Sequence, residues 1–100
     1  MGTILNAKLK EDGKVIYEIL VDREEALRLK GNMENIHLFS EEATTRKSRI
    51  SLRGKNEATK YFLIPKDMRE NINEKKDVLC QKIEGKYKDI FIFIVNKIEV

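Results

Sequence analysis

The chain contains few of the residues from which covalent frameworks and active sites are usually built. Its 100 residues include one cysteine, one histidine, one proline and no tryptophan. A single cysteine excludes an internal disulfide, and the apolar neighbours Val78 and Leu79 favour a buried structural thiol at Cys80 over a nucleophile. The sequence also has no signal peptide and no apolar run long enough to span a bilayer, so it predicts a cytoplasmic protein without membrane contact.

The residue patterns of common catalytic and cofactor sites are missing as well. The one histidine, His37, lies between Ile36 and Leu38, which favours a structural role. There is no Cys/His cluster with zinc spacing and no glycine-rich phosphate loop. The serines have no evident base and the carboxylates form no recognisable acid–base pair. We therefore expect no enzyme, no metal and no cofactor.

What the sequence does have is an uneven distribution of charge. Residues 1–42 sum to −3, residues 43–69 sum to +6, and residues 70–100 are neutral. A basic excess confined to one stretch is typical of a protein with a polyanionic partner. A solvated linker rich in lysine and arginine is the alternative. Within the stretch, Arg49, Ser51 and Arg53 alternate with Ile50 and Leu52, so one strand face can present cations while the other meets a core.

Residues 1–42 read as a ββαβ extension. The turn at Asp12-Gly13 joins strands at 3–10 and 15–21, and Leu5, Ala7 and Leu9 are expected to share one face. Asp22 is a candidate N-cap for a helix over 23–30, with Glu25 completing a capping box. Gly31 is placed to end that helix, and a short strand is expected over 35–39.

Residues 43–100 read as a second domain built around the only proline. Strands are expected over 49–55, 60–64, 78–83 and 89–95. Pro65 suits the first turn of a short helix over 66–72, in which Met68 and Ile72 share a face. The uninterrupted apolar run at 90–95 is expected to be buried on both faces, as in a dimer interface or a barrel interior.

The run Leu63-Ile64-Pro65-Lys66-Asp67-Met68-Arg69, followed by Ile72 and by Asp77-Val78, resembles the core of a known family. This family is the swapped-hairpin DNA-binding domains of the AbrB, MazE and SpoVT type, and the resemblance covers residues 49–95. Two positions depart from the family pattern. Lys76 stands where a glycine usually precedes the aspartate, and Lys60-Tyr61 stands where Gly-Arg usually enters the first strand.

The resemblance implies a mostly β fold with short helices, in which two chains form one swapped-hairpin barrel. Residues 1–42 would then be an extension or a degenerate repeat, and in the second case one chain could supply both halves of the barrel. It also implies a homodimeric DNA-binding transcription regulator whose hairpin before the Pro-Lys helix faces duplex DNA. The alternatives are a protein-binding module, such as the antitoxin half of a toxin–antitoxin pair, and a non-specific architectural protein of nucleic acids.

The candidate DNA-binding residues follow from the basic stretch and from positions carried over from the family. Arginine can read guanine edges and lysine can neutralise phosphates. Asn56 could read adenine or hold the turn, and Arg69 could contact DNA or serve the fold by pairing with Asp67 or with a carboxylate of a partner chain. The candidates are Arg46, Lys47, Arg49, Arg53, Lys55, Asn56, Lys60 and Arg69.

Overall fold

Three antiparallel β-hairpins supply most of the regular structure. The structure is a computed structural model that describes residues 1–99, and it divides into two units, Met1–Ala43 and Thr44–Val100. The expected mostly β fold with short helices is confirmed. The hairpins form three separate two-stranded sheets. Their strands are β1 (Gly2–Leu9) with β2 (Val15–Val21), β3 (Ile50–Arg53) with β4 (Thr59–Phe62), and β5 (Leu79–Glu84) with β6 (Asp89–Ile94).

The helical segments are short. One α-helix, α1, covers Arg23–Arg28 in the first unit. Single 3₁₀ turns cover Glu41–Ala43, Lys55–Glu57 and Lys66–Met68. The last two lie in the second unit, where they connect or follow the strands of one hairpin.

The first hairpin contains a bulge that changes which side chains share a face. Ile4 pairs with Ile19 and Asn6 pairs with Glu18, so Leu5 is left without a partner residue. Directly paired residues lie on the same side of a sheet, and one extra residue shifts the alternation by one. The apolar face therefore contains Ile4 together with Ala7 and Leu9 rather than Leu5. The expected set of Leu5, Ala7 and Leu9 is wrong because the sequence alone did not show the bulge.

The capping box expected at the start of α1 is not formed. Asp22 occupies the N-cap position with extended backbone but makes no side-chain cap hydrogen bond. The Met1 amino group instead donates to Asp22 Oδ2 over 3.3 Å and also pairs with the Glu25 carboxylate. The pKa of this amino group is raised above its ordinary value, mainly by the hydrogen bond to Glu25. A cation within reach outcompetes a neutral backbone N–H for these carboxylates.

After α1 the chain is irregular up to the turn at Glu41. The helix ends at Arg28, two residues earlier than expected, and Lys30 and Gly31 have φ values of 51° and 77°. The expected strand over 35–39 is wrong. Asn35 has φ 58°, which is incompatible with an extended strand, and no described residue pairs with this segment.

The second unit joins two hairpins through aromatic contacts. The Phe62 ring at the end of β4 lies 5.0 Å from the Phe91 ring and 6.4 Å from the Phe93 ring of β6, centroid to centroid. Beyond β3 and β4 the pairing continues, since Leu63 N donates to Arg49 O over 3.0 Å. The contacts of Phe62 thus fix the apolar side of the β3–β4 hairpin.

The helix expected over 66–72 is shorter than the sequence indicated. Pro65 (φ −53°) precedes a single 3₁₀ turn at Lys66–Met68, so the start is where proline favours it but the continuation is absent. Asn71 has φ 62°, and Ile72 forms an antiparallel bridge with Lys97. Ile72 and Met68 therefore do not share a helical face. A helix this short is marginal in water, and pairing with the C-terminal segment replaces it.

No residue among 1–99 is fully buried. Ile90 and Ile92 are half-buried, whereas Phe91, Phe93 and Ile94 are 45%, 52% and 61% exposed. The expectation that the run at 90–95 is buried on both faces is wrong for the single chain. Cys80 is also exposed rather than buried. An isolated two-stranded hairpin cannot cover its own faces. Other elements of the chain or another molecule must pack on them to bury them.

Candidate nucleic-acid interface

The β3–β4 hairpin contains or adjoins most of the candidate residues. Its register pairs Arg53 with Thr59 and Leu52 with Lys60. The loop between the strands begins at Gly54 (φ 83°) and continues through the 3₁₀ turn, in which Asn56 has φ 59°. Asparagine tolerates the left-handed region better than most residues do. Asn56 therefore has a backbone reason to occupy the turn, and its neighbour Lys55 lies at the exposed tip.

The two faces of this hairpin carry different cations. Arg53, Ser51 and Tyr61 lie on one face, since Ser51 pairs with Tyr61 and Arg53 follows two residues later. Lys60 lies on the other face, opposite Leu52 and beside Phe62. The sequence alternation correctly placed Arg53 away from Leu52. It did not show the register between the strands, which places Lys60 and Phe62 on the face of Leu52 and away from Arg53.

Arg46 makes a structural contact on the approach to β3. Its Nη2 donates to Asp67 Oδ1 over 2.6 Å, and the two side chains are 57% and 55% exposed. Two residues after Arg46, Ser48 donates a hydrogen bond through its Oγ to the Leu63 carbonyl. These two contacts tie the approach segment to the Pro65 turn. An ion pair this exposed contributes only about 0–1 kcal/mol, so it orients the segment more than it stabilises the fold.

Arg69 is held by the chain that precedes it. Its Nε donates to the Ile64 carbonyl over 2.6 Å. The alternative that pairs Arg69 with Asp67 is not what the structure shows, because Asp67 pairs with Arg46. Fixing one nitrogen of a planar guanidinium restricts the orientation of the whole group.

Arg53 and Arg69 line one open cleft of about 500 Å³. An apolar wall is formed by Leu63, Ile64 and Ile72, and Glu74 is the one carboxylate among the lining residues. Ser51 and Tyr61 contribute hydroxyl groups to the same cleft. The sequence pattern did not indicate Ser51, Tyr61 or Glu74 as site residues. The position of Ser51 and Tyr61 on the Arg53 face follows only from the register.

The cations of the hairpin and its approach are largely unneutralised. Among residues 1–99, the only arginine or lysine of this region with a carboxylate oxygen within 4.0 Å is Arg46. All of these side chains are exposed. The cations without such a partner are Lys47, Arg49, Arg53, Lys55, Lys60 and Arg69. Arg53 and Lys60 thus present positive charge on the two faces of the hairpin, and Lys55 presents it at the tip.

Other kinds of site find no support in the part of the chain that the structure describes. Residues 1–99 contain no group of three or more His, Cys, Asp or Glu side chains placed to hold a metal ion. None of their helices has the length and apolar character needed to cross a membrane. Comparison with protein families, with curated proteins and with solved structures finds no match to this chain.

Proposed function

We propose that the chain is a DNA-binding transcription regulator that contacts duplex DNA through the β3–β4 hairpin. The observation that supports this most directly is the cluster of cations without carboxylate partners on and beside this hairpin. Such a cluster costs self-repulsion unless an anion neutralises it. A polyanion of regular geometry is the partner that suits cations placed on both faces of the hairpin, at its tip and on its approach.

The hairpin also has a shape that fits this partner. A two-stranded β-ribbon can enter the major groove of B-DNA. Arg53 is an exposed residue on the Ser51–Tyr61 face, where a guanidinium can reach guanine edges. Lys55 at the tip and Lys60 on the opposite face suit contacts with phosphates on the two sides of a groove. The resemblance of residues 49–95 to swapped-hairpin domains supports the same assignment of the hairpin.

The proposal includes a homodimer, because a single chain leaves too much surface exposed. The accessible surface of the chain is 10387 Å². A folded monomer of this mass exposes about 5,900 Å² on the usual size scaling, and two separately folded units of these sizes would expose about 7,000 Å². The remaining excess of about 3,400 Å² per chain is about 6,800 Å² for two chains, which lies at the upper end of what obligate dimer interfaces remove from solvent. We propose that two chains cover it by forming one swapped-hairpin barrel.

Sedimentation of the purified protein at micromolar concentration tests the assembly. We expect a dimer that dissociates only as it unfolds, since residues 1–99 of one chain contain no buried core. Ile94→Lys on β6 should weaken the dimer, whereas Tyr87→Lys in the nearby turn should not, because Tyr87 is 87% exposed and lies outside the strands. A folded monomer would refute the swapped-hairpin dimer.

Titration with the native upstream DNA at several salt concentrations tests the function. The double variant Arg53→Ala/Lys55→Ala should lower affinity and reduce the salt slope by about 0.9 for each phosphate that the variant no longer neutralises. Its control is Lys75→Ala/Lys76→Ala, which removes the same charge from a turn outside the hairpin. If Arg53 reads a guanine, its replacement should also cost about 1–3 kcal/mol at one base position only.

Equal effects of the two double variants would contradict the hairpin assignment. No binding by the folded parent at moderate salt would contradict DNA binding itself. Binding that is indifferent to scrambled competitor DNA would instead support a non-specific architectural protein. The first outcome tests the position of the site, the second tests DNA binding, and the third tests sequence selectivity.

A protein-binding module is the second candidate, and the exposed apolar surface favours it. Phe91, Phe93 and Ile94 of β6 are each more than two-fifths exposed, which is typical of a surface that meets another protein. The homodimer accounts for the same surface without a further partner. Sedimentation therefore discriminates between them, because an antitoxin-like module that needs a different protein would stay partly folded or aggregate when alone.

A further inference from the structure

The cleft beside the β3–β4 hairpin has the features of a ligand site that DNA binding does not explain. It lies between the Ser51–Tyr61 face of the hairpin and the segment that contains Arg69 and Ile72. Its volume of about 500 Å³ is within the range of small-molecule sites. Such sites combine an apolar wall with a few convergent polar groups, and this cleft has both.

The charge of the cleft selects the class of ligand. Arg53 and Arg69 both line it, and neither has a carboxylate oxygen within 4.0 Å among residues 1–99. Arg46 is nearby in the sequence and is neutralised by Asp67. Among residues 1–99, the two cleft arginines differ from Arg46 because they have no carboxylate partner. The hydrogen bond from Arg69 Nε to Ile64 O leaves the outer edge of the guanidinium for a ligand. Two such groups favour a carboxylate, sulfonate or phosphate.

The wall of the cleft favours a ligand whose remaining part is apolar. Leu63, Ile64 and Ile72 are apolar, and they line the same space as the two arginines. An inorganic anion would leave this wall in contact with water. A ligand with an apolar, flat body and one anionic group would cover the wall and reach the arginines together. The hydroxyls of Ser51 and Tyr61 can donate further hydrogen bonds to the anionic group.

We propose that this cleft binds a small organic anion with an apolar body, and that the bound anion competes with DNA for Arg53. The competition rests on the proposed function, because Arg53 is then shared between the ligand and the DNA. The binding itself does not rest on it. A regulator built in this way releases its DNA when the anion accumulates, because binding at one shared side chain excludes the other partner.

Binding is tested on the 100-residue chain with 2-naphthoate as the probe and 2-naphthamide as its neutral analogue. Amide chemical shifts are followed by NMR during titration. We expect naphthoate to bind at least about tenfold more tightly than the amide, with shifts centred on Ser51, Tyr61 and Ile72. Equal affinity of the two probes, or shifts centred on β5 and β6, would overturn the proposal, since either result means non-selective adhesion to exposed apolar surface.

Three variants test the assignment of the residues. Arg53→Gln should weaken naphthoate binding by about tenfold, whereas Glu74→Gln should strengthen it, because removing the lining carboxylate removes repulsion of the anion. Lys60→Gln is the charge-matched control on the opposite face and should leave the affinity unchanged. A loss of affinity as large for Lys60→Gln as for Arg53→Gln would overturn the site. So would a change in oligomeric state with Arg53→Gln, which would show that the cleft holds a carboxylate of the second chain.

Competition is then measured by titrating naphthoate into the protein–DNA complex. The apparent affinity for DNA should fall in proportion to the occupancy of the cleft, and naphthamide at the same concentration should have no effect. If naphthoate binds but does not displace DNA, the proposed competition is refuted and the proposed ligand site is retained. Absence of DNA binding by the parent, with selective naphthoate binding intact, overturns the proposed function and leaves the site standing.

Discussion

Phe62→Ala should destabilise the second unit more than substitution of Tyr87, an aromatic residue that contacts no other ring among residues 1–99. Phe62 is 47% exposed, so about half of its side chain is withdrawn from water. Burial of half a phenylalanine contributes about 1 kcal/mol, and its close contact with the Phe91 ring at 5.0 Å adds about 0.5–1.5 kcal/mol. We therefore expect the free energy of unfolding to fall by about 2 kcal/mol, with a decrease in Tm of roughly 10 °C.

Two further variants make this prediction specific. Tyr87→Ala removes an aromatic ring that is 87% exposed and should cost no more than about 0.5 kcal/mol. Phe62→Leu keeps most of the apolar volume and should cost about 1 kcal/mol, mainly through the contact between the rings. Urea unfolding followed by circular dichroism gives all three values, provided that protein concentration is held constant.

The size of the effect also reports on the assembly. A decrease near 4 kcal/mol would mean that a second chain completes the burial of Phe62, as in a fully packed core, where truncation of phenylalanine to alanine costs about 3–5 kcal/mol. Equal stability of Phe62→Ala and Tyr87→Ala would refute the reasoning, because the two hairpins of the second unit would then not depend on the contact between Phe62 and β6.

Three other predictions concern the backbone. Pro65→Gly should lower the free energy of unfolding by about 0.5–1 kcal/mol, because φ −53° is native to proline and glycine gains freedom in the unfolded chain; thermal melting checks this. Deleting Leu5 should be tolerated, since it removes the unpaired bulge residue and keeps the faces of β1, whereas deleting Lys8 should reverse them; circular dichroism distinguishes the two. Asn56→Gly should preserve stability, while Asn56→Val should lower it by about 1–2 kcal/mol in urea unfolding, because φ is 59°.

The sequence by itself determined the elements whose signals are local. The turn at Asp12-Gly13 was predictable because Gly13 supplies the positive φ of 81° and Asp12 Oδ1 accepts from Lys14 N. The start of the 3₁₀ turn after Pro65 was predictable because the fixed φ of proline suits it. The alternation in β3 placed Arg53 on the face away from Leu52 for the same kind of local reason, a period of two along the strand.

Tertiary structure decided everything that depends on partners distant in the chain. The capping box gave way to the Met1 amino group, and the helix beyond Met68 gave way to the bridge between Ile72 and Lys97. The position of Lys60 depended on the register between β3 and β4, and the cleft depended on Arg69 being held by Ile64. Local propensities differ by less than about 1 kcal/mol per residue, so a single competing contact can reverse them. Strand periodicity predicts which side chains of one strand share a face. Only the pairing between strands decides which side chains and charges of different strands lie on the same face.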